Sequence, residues 1–106
     1  MKIVRVTYST KPEYAEKNQS NIKRVMADLQ ALNNPGVNYN CCLSPDGISF
    51  THLAFFNSDE DEKVLTTLPA FIQFQQQLRA EGLEAPPKQE LLTLVGSSKQ
   101  VFNSAE

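Results

Sequence analysis

The chain has 106 residues, a net charge of −2 and 41% hydrophobic side chains. That length fits one domain with a core of its own, needing neither disulfides nor a metal. The scattered basic residues form no phosphate-tracking stripe, and no apolar run approaches the ~20 residues that cross a bilayer, which argues against nucleic-acid binding and a membrane span.

The opening MKIVRVTYST alternates instead of forming the continuous apolar stretch of a signal peptide. Lys2 to Ser9 is read as a first strand, with Val4, Val6 and Tyr8 on one face and Ile3, Arg5 and Thr7 on the other. Thr10-Lys11-Pro12-Glu13 reads as a helix start, Thr10 capping and Glu13 completing a capping box. The helix is expected to run to about Leu32, with a core stripe of Tyr14, Ala15, Ile22, Val25, Met26, Leu29 and Leu32. Asn18 lies on that stripe one turn before Ile22. Asn33-Asn34-Pro35-Gly36 then stops the helix and turns the chain.

Val37 to Leu43 and Ile48 to Phe56 read as a hairpin around Ser44-Pro45-Asp46-Gly47. A four-residue loop there pairs Leu43 with Ile48, Cys41 with Phe50, Tyr39 with His52 and Val37 with Ala54. The face carrying Val37, Tyr39, Cys41, Leu43, Ile48, Phe50, His52, Ala54 and Phe56 is the more apolar and is assigned to the helix-facing core. Asp59 to Glu62 suits a first helical turn better than a cation site, whose ligands need to surround a loop. Proline breaks this helix near Pro69. A second segment from about Pro69 to Glu81 turns Phe71, Ile72, Phe74 and Leu78 inward, and Gly82 caps it. Ala85-Pro86-Pro87 links to a fourth strand, Glu90 to Val95. Residues 1–96 thus form the domain and residues 97–106 a polar tail, in which Val101 and Phe102 are the groups able to dock.

The order β-α-β-β-α-β predicts an α+β fold, a ferredoxin-like split sandwich with antiparallel sheet order 4-1-3-2 and the helices on one face. Cys41 and Cys42 are adjacent, and strand neighbours point to opposite faces, so two free thiols in a reducing, cytoplasmic compartment are expected.

His52 is the only histidine. Three readings are open for it: a core histidine satisfied by a neighbour, a general base, or a metal ligand. The last is weakest, because no carboxylate or thiol pattern converges on it. Cys41 and Cys42 read as small hydrophobes; a nucleophile would need a base at hand. Arg5 suits an interface ion pair or an anionic ligand.

The layout of capped helix, hairpin, broken helix with Pro69-Ala70-Phe71 and Phe74, and Pro-containing linker before ELLTLV resembles the dimeric α/β-barrel superfamily, most nearly its antibiotic-biosynthesis-monooxygenase-like branch. The resemblance covers about residues 2–96. It implies a homodimer in which two sheets pack face to face, which suits the mixed face of Ile3, Leu53 and Phe55 beside Arg5, Thr7, Thr51 and Asn40. It implies a ligand pocket between sheet and helices. The activities implied include cofactor-independent oxygenation of phenolic or quinol-like substrates, haem degradation and isomerisation of small ring compounds. Haem-degrading relatives carry their histidine on a helix, whereas His52 is on a predicted strand. The expected site has His52 and Tyr39 in catalytic roles, Asn18, Tyr8, Phe50 and Phe71 around a small aromatic ligand, and neither metal nor cofactor. A non-catalytic ligand-binding or stress-associated dimer, and a purely structural subunit with a filled interior, are the competing readings.

Overall fold

A computed structural model describes residues 1–102. Strand β1 (Lys2–Ser9) is followed by a 3-10 turn, Pro12–Tyr14, and then helix α1 (Ala15–Leu32). Strands β2 (Val37–Leu43) and β3 (Ser49–Phe56) precede helices α2 (Asp59–Thr66) and α3 (Pro69–Gln77). A wider π turn, Leu78–Gly82, ends α3 and leads to strand β4 (Lys88–Leu92). The four strands form one antiparallel sheet in the order β2-β3-β1-β4, which is the expected 4-1-3-2 read from the other edge.

Burial alternates without a break along β3: Phe50, His52, Ala54 and Phe56 are buried, and the residues between them are half-buried. Phe50, Ala54 and Phe56 share one core with Tyr8 from β1, Ile22 and Val25 from α1, Leu65 from α2, and Phe71 and Phe74 from α3, and His52 packs on Tyr8 and Phe74. The helices therefore cover one face of the sheet. Asn33, left-handed at φ 52°, ends α1. Ser58 caps α2 by accepting from the Asp61 N–H, which gives the acidic turn a structural role at the helix start.

Five local expectations are corrected. Thr10 does not cap: it is extended, bridges Leu83 and donates its N–H to the Ile48 carbonyl, so the helix begins through a 3-10 turn instead. Leu32 at the end of the stripe is exposed. The hairpin register is shifted: Leu43 pairs with Phe50, Cys41 with His52, Tyr39 with Ala54 and Val37 with Phe56. The cause is Asp46, whose carboxylate accepts from the N–H groups of Ile48 and Ser49 and from the Ser49 hydroxyl. That draws Ile48 into the loop, and Ser44 closes on Ser49. Each partner moves by two residues, so the two faces keep their members. The fourth strand runs Lys88–Leu92 rather than Glu90 to Val95, leaving Leu94 and Val95 exposed beyond it. Gly82 is not the cap: Leu83 stands at the C-cap, and Gly82 closes the π turn without a left-handed φ. The Tyr14 ring packs so closely on it that an added Cβ would collide with the ring.

Within the expected tail, Val101 and Phe102 are half-buried, and Val101 lies by Met26, Leu29 and Val37. The expectation for the remainder, 103–106, lies outside the described residues.

Candidate functional site

Between the sheet and helices α2 and α3 lies a cavity of ≈ 210 Å³. Val4, Val6, Ala54 and Phe56 form its floor, and Leu65, Phe71, Phe74 and Leu78 form its roof. Strand alternation sets the floor and helical spacing the roof. Exposed Arg79, Pro87 and Gln89 mark its mouth. Tyr8, Tyr39 and His52 supply the polar groups at its inner end.

These three side chains are hydrogen-bonded to one another. The Tyr8 hydroxyl lies 2.7 Å from His52 Nε2, and the Tyr39 hydroxyl 2.6 Å from His52 Nδ1. Asn18, fully buried on α1, donates from Nδ2 to the Tyr8 hydroxyl at 2.9 Å. The rings of Tyr8 and Tyr39 both stack on the imidazole, with centroids 5.3 and 5.7 Å away. Phe74 tilts against it at 5.6 Å, and Phe71 meets the edge of Tyr39 at 6.1 Å.

Burial decides the protonation of the cluster. Desolvation pushes His52 down from 6.5 to about 4, so the imidazole is neutral at pH 7. Desolvation also raises Tyr8 and Tyr39, which keep their hydroxyl protons. A phenol near pKa 10 would lose its proton to such an imidazole only at a cost of about 8 kcal/mol, so His52 is a weak base here. Cys41 lies opposite His52 with Sγ 3.5 Å from Nε2, a contact that the expected register had not placed there. Desolvation holds the Cys41 thiol up at about 12. A raised thiol beside a depressed imidazole is the reverse of an activated thiolate–imidazolium pair.

No family model matches the sequence, and no curated protein matches it. Solved structures do match. A provisionally named antibiotic biosynthesis monooxygenase from Nitrosomonas europaea superposes with a TM-score of 0.76 at 14% identity, over 91% of this chain and 100% of that one. A second provisionally named one, from Bacteriodes thetaiotaomicron, gives 0.76 at 16% identity, over 93% of each chain. A variant of SnoaB, a cofactor-independent oxygenase from Streptomyces nogalater, gives 0.66 at 16% identity, over 93% of this chain and 98% of its own. The fold is the one these monooxygenases share.

On this monooxygenase-like fold, four of the six expected site residues line the cavity: Tyr8, Tyr39, His52 and Phe71. Asn18 and Phe50 stand behind Tyr8, the first through its hydrogen bond and the second by stacking at 5.5 Å. Arg5 is away from the cavity, on the open face, where it faces Glu90 at 3.4 Å across the strands. Gln75, Arg79 and Gln89 also line the cavity, beyond the expected site. Gln75 and Arg79 follow Phe71 at four-residue steps, and that spacing was a signal available in the sequence. Gln89 falls just before the expected strand start at Glu90, whereas β4 begins at Lys88 and carries it.

Proposed function

We propose that the cavity binds a small, electron-rich aromatic molecule bearing a ring oxygen, and that the protein oxygenates it without a cofactor. The observation that carries this reading is an aromatic-walled cavity whose inner end presents His52 and Tyr39. An apolar pocket with few convergent polar groups suits one oriented small ligand. Confinement with dioxygen, and hydrogen bonding to charge on the ligand oxygen, are the contributions such a site makes. The chemistry balances without an external reductant: a phenol plus dioxygen gives a quinone plus water, and the substrate supplies the electrons. His52 and Tyr39 are the proposed catalytic pair, Tyr39 meeting the reacting oxygen and His52 acting through its hydrogen bond to Tyr39; Tyr8, Asn18, Phe50 and Phe71 shape and support that end. The likeness to a cofactor-independent oxygenase of the same fold adds support, though fold alone does not fix a reaction.

We also propose that the domain, residues 1–96, works as a cytoplasmic homodimer through the open sheet face, where Leu53 and Phe55 are only half-buried and Cys42 is exposed. Free thiols suit a reducing compartment.

The test uses 1-naphthol as probe, following dioxygen uptake and quinone absorbance. His52→Ala and Tyr39→Phe are expected to lower kcat/KM by about 100-fold. Rates equal to those of the unaltered protein would remove both residues from the mechanism. A second reading, a non-catalytic binder of the same ligand class, draws on the ground-state hydrogen bonds to both nitrogens of His52. It predicts binding of the probe with no uptake of dioxygen. A purely structural subunit is disfavoured by the open volume beside His52.

A further inference from the structure

A neutral imidazole carries one N–H and one bare nitrogen. Both nitrogens of His52 nevertheless have a tyrosine hydroxyl within hydrogen-bond range. One tyrosine must therefore donate to the ring while the other accepts from it. Two arrangements meet that condition, and they differ in where the surplus proton goes.

In the first, Tyr8 donates its proton to a bare Nε2, and Nδ1–H donates to the Tyr39 oxygen. The surplus proton is then the Tyr39 hydroxyl proton. Tyr39 is half-buried and lines the cavity, so that proton has the cavity to face. In the second, Nε2–H donates to the Tyr8 oxygen and Tyr39 donates to Nδ1. The surplus proton is then on Tyr8, whose oxygen would already accept twice, from Asn18 and from the ring. No further acceptor lies within hydrogen-bond range of that hydroxyl among the described residues, and Tyr8 is 8% exposed. Tyr8 also lines the cavity, but it is the more buried of the two tyrosines, so an O–H left over there is the costlier outcome.

With its amide nitrogen turned to Tyr8, Asn18 favours the first; an oxygen turned there would favour the second. Asn18 is fully buried, its Oδ1 meets no donor, and its hydrogen bond is the one its nitrogen gives to Tyr8. With its oxygen occupied by that donor, Tyr8 is set to send its own proton on to Nε2. The Cys41 thiol, 3.5 Å from the same nitrogen, is a weak donor and also suits a bare Nε2.

We infer that Asn18 and Tyr8 hold His52 in the Nδ1–H form, so that the chain Asn18, Tyr8, His52, Tyr39 ends in a hydroxyl proton offered to the cavity, and the site selects ligands that present an acceptor oxygen there. Asn18 and Tyr8 are positioning residues, since they act through His52. The ligand half of this inference rests on the cavity being the ligand site; the tautomer half does not.

The chain has one histidine, so nitrogen-15 labelling of histidine gives a ring spectrum of two nitrogens with nothing to overlap them. The proton is expected on Nδ1 at pH 7, identified by the ring-proton couplings that distinguish Nε2. Asn18→Leu, which withdraws the donor from Tyr8, should raise the share of the Nε2–H form. A proton on Nε2 in the unaltered protein overturns the inference, and an unchanged tautomer in a folded Asn18→Leu removes Asn18 from it. The ligand arm compares 1-tetralone, which has only an acceptor and does not react with thiols, with tetralin, read as shifts of the same two resonances. The ketone should bind about 3- to 10-fold more tightly, and Tyr39→Phe should erase that preference. Equal binding of the two probes overturns donor selection while the cavity reading stands. Binding of neither removes the cavity reading and the selection that rests on it.

Discussion

The two faces of the sheet are built from the same four strands, yet they are different materials. On the helix side of β3, Phe50, His52, Ala54 and Phe56 are each no more than 5% exposed. On the other side Thr51, Leu53 and Phe55, one residue out of phase, are only half-covered. The polar groups differ in the same way. Arg5 and Glu90 share an ion pair on the open face with both side chains well exposed, so it adds little to stability. The cluster of Asn18, Tyr8, His52 and Tyr39 lies on the helix side, and the loss of any member leaves buried partners unmet. Along β3 a period-two pattern thus separates a face that tolerates change from one that does not; in β1 the division is softer, with Ile3 buried on the open face and Val4 and Val6 half-buried on the other.

The contrast breaks most visibly at Phe50. Phe50→Ala should cost about 3–5 kcal/mol in denaturant unfolding, against less than about 0.5 kcal/mol for Thr51→Ala next to it. Comparable losses for the two would dissolve the distinction between the faces.

Between pH 6.5 and about 4, acid probes the helix side through His52. The folded-state pKa of His52, about 4, lies below its unfolded value of 6.5, so the unfolded chain takes up the proton first as pH falls. This contribution is whole above pH 6.5 and is lost progressively toward pH 4, amounting to about 3 kcal/mol. His52→Gln should flatten that stretch of the stability–pH curve; an unchanged slope would mean that the ring is not desolvated.

Gly82→Ala should cost about 1–3 kcal/mol, because the new methyl meets the Tyr14 ring. Thermal unfolding measures it, and a neutral result would show that the ring can move aside.

The smallest effect on folding is expected on the open face. Phe55→Lys should leave monomer stability within about 1 kcal/mol while converting a dimer to a monomer in light scattering. A mass that matches one chain for the unaltered protein would remove the dimer proposal.

Much of this organisation was legible in the chain. The strand faces were readable because alternation survives any even shift, and sheet order followed from the handedness of the crossovers. The partner of His52 was not legible. It depends on Asp46 gathering three donors in the turn, a hydrogen-bonding choice that residue types permit without dictating. The start of the first helix and the bounds of the last strand were not legible either. Thr10 has the chemistry of a cap, but it is held in extended backbone by its contacts with Ile48 and Leu83. In the candidate site, the residue types at the inner end could be assembled from face assignments alone. The mouth could not, because Gln89 enters it only once β4 is in register with β1.

The adjacent pair Cys41 and Cys42 has a practical consequence. One thiol points into the protected side beside His52 and the other lies in the open. A thiol-modifying reagent should therefore record two clocks from a single dipeptide. Cys42 reports how quickly solvent reaches the open face, and a delay that grows with protein concentration would time the encounter of two chains. Cys41 reports how often the sheet parts from its helices, a breathing rate measured at the very wall of the cavity.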